Sequence, residues 1–212
     1  MTDFDAMIQG YRRFRDDGWG RQRERWSELS QGQSPKVMII ACSDSRIDPS
    51  LIFDTSPGEM FVVRNVANLV PPFELGKGRH GVSAALEFAV TMLEVPEVVV
   101  MGHGEFGGCQ AALSQDFKNA PPGEGGFISR WISILDGARA EVAAEHGDLT
   151  SRPALRAMEH AAVRVGIENL RTFPCIQARE ADGRVKLHGA YFALADGVLH
   201  LLDPETGAFA PA

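Results

Sequence analysis

Two stretches of the chain gather the residue types that do chemistry: Ala41-Cys42-Ser43-Asp44-Ser45-Arg46 and Gly102-His103-Gly104-Glu105-Phe106-Gly107-Gly108-Cys109. Each follows a run of apolar residues. In extended backbone the side chains alternate, so Cys42, Asp44 and Arg46 point to one side and Ser43 and Ser45 to the other. A cysteine thiolate is a good zinc ligand. An aspartate beside an arginine can be held bidentate and ionised, ready to bind a metal or to accept a proton from bound water. With the imidazole of His103, these groups suggest a metal site. Taken alone, Cys-x-Asp-x-Arg is satisfied equally well by a buried cysteine beside a surface ion pair.

The second stretch also spells G-x-G-x-x-G from Gly102 to Gly107, the pattern of a dinucleotide-binding turn. That fingerprint requires an acidic residue at the end of the next strand about 20 positions on, and here that distance falls in the Pro/Gly loop around Glu124. A histidine inside the turn suits a metal better than a pyrophosphate, so the dinucleotide reading is set aside.

The elements that must position these groups read as an α/β fold. Lys36 to Ala41, Met60 to Val66 and Val98 to Met101 are short apolar runs of the kind found in strands covered on both faces of a parallel sheet. Helical patterns at Val82–Leu93, Phe127–Glu145 and Arg152–Leu170 alternate with them, as right-handed crossovers require. Val185–Leu194 and Val198–Leu202, joined through Ala195-Asp196-Gly197, predict a hairpin that adds an antiparallel edge strand. The expected architecture is a mostly parallel central sheet with helices on both faces. In such sheets ligands bind beyond the carboxyl ends of the strands, which is where Cys42 and His103 fall. Ahead of the first strand, Phe4, Met7, Ile8, Tyr11 and Phe14 recur at helical spacing. This predicts an N-terminal helical arm over residues 1–31, broken at Gly18 and Gly20, that packs on a neighbouring subunit or on its own domain.

The 212 residues fit one domain, and 44% apolar with 23% charged residues is ordinary globular composition. A net charge of -7 argues against a nucleic-acid partner, whose phosphates would need a basic stripe. No apolar run approaches a membrane span, and the acidic start lacks the parts of a signal peptide, so the expected location is cytoplasmic. Three widely spaced cysteines, Cys42, Cys109 and Cys175, do not form a disulfide framework.

Taken together, the two stretches and their surroundings resemble the β-class carbonic anhydrases, particularly the plant-type branch. The matching segments run in order from Gly32-Gln33-Ser34-Pro35-Lys36 through CSDSR at 42–46, Pro57-Gly58-Glu59, the run from Phe61 to Pro72, Ala85 to Val90, and Val99-Val100-Met101-Gly102-His103. The resemblance implies zinc held by Cys42, His103 and a second cysteine. Asp44 would take the fourth position or orient zinc-bound water, with Arg46 holding Asp44. Zinc lowers the pKa of its water from about 15.7 toward about 7, giving a hydroxide that attacks carbon dioxide to form bicarbonate. The resemblance also implies an apolar wall of Phe61, Val66 and the partner's Phe88. It makes Gln33 a hydrogen-bond donor to substrate, and a homodimer or dimer of dimers the assembly.

The sequence departs from that family at one position. The signature G-H-x-x-C-G-G, laid over Gly102 to Gly108, puts the second cysteine at Phe106, and phenylalanine cannot ligate zinc. Cys109 lies three residues further on, about 4.5 Å along a helix, whereas a zinc–sulfur bond tolerates only a few tenths of an ångström around 2.3 Å. Three outcomes stay open: no stable zinc, a weak site of Cys42, Asp44 and His103, or a rearranged site using Cys109. The expected function is hydration of carbon dioxide, strongly impaired in this chain. The alternative is a non-catalytic relative that binds bicarbonate or another small anion through Arg46, Arg64 and the helix start at Gly107, or that serves as a partner subunit.

Overall fold

The computed structural model describes residues 3–76 and 78–212, in two compact units, 1–34 and 35–212. In the first unit, α1 (Phe4–Arg13) begins at Asp3, whose carboxylate accepts the Ala6 N–H at 2.8 Å. It runs through a widened π-type turn at Phe14–Gly18 into α2 (Trp19–Arg21), and α3 (Arg23–Leu29) follows. The expected break at Gly18 and Gly20 is therefore displaced. Both glycines continue the helix, and the chain turns at Gln22, which leaves helical geometry at φ -113° and ψ 24°. The T-shaped pair Phe14–Trp26 supports that corner, with ring centroids 6.0 Å apart.

The second unit is built on a six-stranded sheet in the order β2-β1-β3-β4-β5-β6. β1 (Val37–Cys42), β2 (Met60–Asn65), β3 (Glu97–His103) and β4 (Lys186–Ala193) are parallel; β5 (Val198–Leu202) and β6 (Phe209–Pro211) pair antiparallel. The mixed sheet is the expected one, with a correction at its border. β5 is not the edge, because residues 209–211 return and pair with it. Three residues ending in a proline carry no alternating pattern, and this strand is not visible in the sequence.

The apolar runs are buried on both faces, as a covered parallel strand requires. Met38 and Ile40 of β1 join Val98 and Val100 of β3 on one face, while Ile39 and Ala41 join Met101 and Ala190 on the other. Each such side chain contributes about 1.5–3 kcal/mol on burial. On the first of these faces lie α5 (Gly81–Glu87) with its π-type extension Phe88–Met92, and the long α9 (Arg152–Leu170). α9 starts at Ser151, whose hydroxyl accepts the Ala154 N–H at 3.3 Å, with proline in its first turn. It comes close to β3 because two glycines allow it. A Cβ on Gly166 would stand 2.9 Å from Val100, and one on Gly102 2.8 Å from Val163.

The remaining helices are α4 (Pro49–Ile52), α6 (Gly107–Ser114), α7 (Gly126–Ile132), α8 (Asp136–Glu145) and α10 (Pro174–Ala181). The helix expected over 127–145 is thus two helices joined by a 3₁₀ turn at Ser133–Leu135. α10, opened by Pro174, is an addition to the expected elements.

Candidate functional site

β1 and β3 are neighbours, so their carboxyl ends deliver Cys42 and His103 side by side. Cys42 is 5% exposed, and its sulfur accepts the Asp44 N–H at 3.3 Å. Beyond the strand the chain turns, and Arg46 clamps Asp44 through three contacts: Nε to Oδ1 at 2.9 Å, the second guanidinium nitrogen to Oδ2 at 2.7 Å, and the Arg46 N–H to Oδ1 at 2.9 Å. The Arg46 side-chain hydrogen bond is the main cause that holds the Asp44 carboxyl well below the usual carboxylate range. Asp44 is therefore ionised, but both its oxygens are occupied.

Arg64, on β2, fastens the same turn from below. It donates to the carbonyls of Cys42 and Asp44, each at 2.8 Å, and to that of Ile47. Arg46 also donates to the Glu105 carbonyl at 2.9 Å and so ties the first stretch to the second. Glu105 in turn pairs with Arg152 at 3.1 Å. Both guanidinium groups proposed for an anion are thus committed to backbone and carboxylate.

His103 is fully buried. Its Nδ1 lies 2.8 Å from the Gly104 carbonyl, which fixes the proton there and leaves Nε2 as the free lone pair. Nε2 has no hydrogen-bond partner and stands 3.9 Å from Asp44 Oδ2. Burial pushes the imidazole pKa down and keeps it neutral, the form that ligates a metal. Thus an orphaned ring nitrogen faces a carboxylate, with the Cys42 thiol at the end of the neighbouring strand.

At position 106, where the resemblance puts a second cysteine, the chain has a phenyl ring. Phe106 is 1% exposed, and its ring centroid lies 4.4 Å from that of His103 at an interplanar angle of 50°. Cys109, in the first turn of α6, is fully buried with its sulfur 3.9 Å from the Met158 carbonyl, and burial pushes its thiol pKa well up. A thiol so placed resists the deprotonation that zinc binding requires. Among the described residues no group of three or more histidine, cysteine and acidic side chains could hold a metal ion. The side chains present therefore do not fit a zinc ion: two donors face a carboxylate held by arginine and a phenyl ring.

The other residues expected at the site are placed as follows. Phe61 on β2 and Phe88 lie with ring centroids 5.9 Å apart within one chain. Val66 is 46% exposed and opens a 3₁₀ turn, Val66–Asn68, whose Ala67 and Asn68 take left-handed backbone at φ 69° and 42°. Such strain persists only when surroundings enforce it. Here the Trp131 indole donates to the Val66 carbonyl at 2.6 Å, and the Asn65 side chain brackets Leu69 through both its N–H and its carbonyl. Gly107 is the exposed first residue of α6, and Gly108 packs on Ala67, where an added Cβ would stand at 2.8 Å. Gln33 is an exposed residue of the first unit.

Sequence reasoning missed Glu159 and Tyr191. Glu159 is 2% exposed; it accepts the Phe106 N–H at 3.2 Å and the Tyr191 hydroxyl at 2.8 Å. The available signal was a carboxylate on the apolar stripe of α9, between Met158 and Ala162.

Fold and site define an α/β protein whose thiol and imidazole stand at the carboxyl ends of adjacent parallel strands. The carbonic anhydrase family model matches residues 37–199. The chain is 35% identical to the mitochondrial β carbonic anhydrase 6 of Arabidopsis thaliana over 91% of its own length, and spans 65% of that relative. It is 32% identical to β carbonic anhydrase 3 of the same plant over 97% of its length, covering 80% of that protein. Among solved structures, the β-carbonic anhydrase CcaA superposes with a TM-score of 0.90 at 28% identity, covering 98% of this chain and 91% of that one. The Coccomyxa enzyme in complex with acetazolamide gives 0.81 at 29% identity, covering 95% and 87%. A tetrameric β-carbonic anhydrase from Sordaria macrospora gives 0.81 at 26% identity, covering 98% of each chain. The chain belongs to the β-class carbonic anhydrase family, whose members are zinc-dependent.

Proposed function

We propose that this chain has the scaffold of a carbon dioxide-hydrating enzyme whose metal centre is broken at residue 106, so that it carries well under one zinc per chain and hydrates carbon dioxide poorly. The carrying observation is Phe106, buried against His103 where the family signature has a cysteine. Removing one thiolate takes away a large share of a binding energy that totals about 10–16 kcal/mol in structural zinc sites. Cys109 does not compensate, because its sulfur faces the Met158 carbonyl.

The anion-binding alternative draws less support. Arg46 and Arg64 are spent on the loop they hold, with Asp44, Glu105, Cys42 and Ile47 as their partners. Carbon dioxide and bicarbonate remain the small molecules for which the scaffold is built.

The test is elemental analysis of purified protein combined with stopped-flow hydration of carbon dioxide, before and after zinc supplementation. The expected result is zinc well below one equivalent and a rate close to that of buffer in both. A full equivalent of tightly held zinc in protein prepared without added metal would overturn the proposal.

A further inference from the structure

We infer that Glu159 and Tyr191 are a positioning pair that pins the 104–106 loop, and thereby decides where the side chain of residue 106 stands relative to His103. The inference rests on the reading of that loop as one arm of the family's metal centre. Glu159 has both carboxylate oxygens engaged across long sequence separations, Oε1 with the Phe106 N–H at 3.2 Å and Oε2 with the Tyr191 hydroxyl at 2.8 Å. The Glu105 N–H faces the same carboxylate. Three elements thus meet at one buried acid: α9, β4 and the turn that leads from β3 into α6.

Other groups take the loop's Gly104 N–H and its carbonyls: Gly104 donates to the Phe192 carbonyl at 2.9 Å, and the carbonyls of Gly104, Glu105 and Phe106 face His103 Nδ1, Arg46 and the Gln110 N–H, which leaves the N–H groups of Glu105 and Phe106 to Glu159. Glu105 sits at φ 59°, a left-handed conformation unfavourable for a residue with a Cβ. Phe106 occupies the N-cap position of α6 and has no oxygen in its own side chain to cap it. The carboxylate of Glu159 instead accepts the N–H of the N-cap residue itself, the part played by the acidic residue of a capping box, from 53 residues away. Tyr191 reaches it because Gly104 leaves room: a Cβ there would stand 3.0 Å from the hydroxyl.

The platform is stiff. α9 is locked to β3 at Gly166 on Val100 and at Val163 on Gly102, immediately before His103. An amide pinned to α9 is therefore pinned relative to the imidazole. A buried carboxylate is costly unless fully hydrogen-bonded, and leucine would pack on the same apolar stripe at no such cost. Its occurrence there fits a role in placing the loop.

The experiment measures amide hydrogen exchange in the native chain and in Glu159→Gln, Glu159→Leu and Tyr191→Phe, together with the ring-current shift that Phe106 imposes on the His103 protons. In Glu159→Leu the Phe106 amide is expected to exchange at least about tenfold faster while the β1 and β3 amides keep their rates, and the His103 shift moves toward its unstructured value. Glu159→Gln retains an acceptor and should rescue both readouts. Tyr191→Phe should give a smaller change in the same direction. Unaltered Phe106 exchange and His103 shift in folded Glu159→Leu overturn the inference, as does acceleration no greater than that of β1 and β3. Should Glu159→Leu fail to fold, Tyr191→Phe, which deletes one oxygen, decides by the same two readouts. None of them depends on zinc, so a chain found to hold a full equivalent of metal would refute the proposed function and leave this inference standing.

Discussion

At the scale of single residues, the proposed reading makes the site a set of retained parts around one substitution, Phe106. Cys42, the neutral His103 and the ionised Asp44 with its Arg46 clamp are in place, and Gly107-Gly108 continues directly into α6. Phe106→Cys is therefore expected to raise zinc from well under one to about one equivalent per chain. Carbon dioxide hydration should rise with it by on the order of a hundredfold or more. Cys109→Ser in that background should change neither, because that sulfur faces Met158. A revertant that holds stoichiometric zinc but hydrates no faster than buffer would mean that more than a ligand is missing. Loss of residual activity on Cys109→Ser in the unaltered chain would mean that Cys109 acts as a substitute ligand.

At the scale of elements, the seam between α9, β4 and β6 should make stability depend on pH. His160 on α9 stacks on Phe209 of β6 at 4.2 Å and meets Tyr191 edge-on at 4.6 Å. Burial, and then the positive charges of Arg164, Arg156 and His200, push its pKa down to about 4. An unfolded histidine titrates near about 6.5. Between these values the unfolded chain binds the proton that the folded chain refuses, so stability falls as pH drops through that window. The ring is not wholly removed from solvent, so the loss is on the order of 1–2 kcal/mol, below what the full shift would give. His103 is depressed by burial and acts in the same direction; Glu159, raised by burial, acts in the opposite one. Denaturant unfolding of the native chain and of His160→Gln between pH 7.5 and about 4 separates the contributions. The variant should be less stable at neutral pH yet show a shallower decline, and parallel curves would refute the assignment.

At the scale of the whole molecule, apolar surface points to self-association. In the first unit Phe4, Met7 and Tyr11 on α1 are 72%, 60% and 57% exposed; in the second Phe88, Met92 and Val66 are 44%, 70% and 46% exposed. Patches of this kind on a stable protein mark interaction surfaces. Light scattering at micromolar concentration should give two or four times the chain mass, in keeping with the tetrameric Sordaria macrospora relative. A monodisperse monomer would remove the prediction.

Much of the framework was legible in the sequence for a local reason. β1 and β3 are continuous apolar runs, and α9 carries a capping serine and a first-turn proline at its start, so period and punctuation define them without reference to the rest of the chain. The chemical groups were legible as well, because Cys42, Asp44 and Arg46 form one short motif and His103 ends a strand. Tertiary structure alone decided what depends on separation. It closes Phe106 onto His103, turns Cys109 toward Met158, commits Arg64 to three carbonyls of the Cys42 loop, returns residues 209–211 to β5, and sets Glu159 beneath an amide 53 positions away. Hydrogen bonds of this range leave no periodic trace, since their partners share no face, turn or motif. They come into existence only when the elements pack, β2 on β1 for Arg64, β6 on β5 for residues 209–211 and α9 on β3 for Glu159.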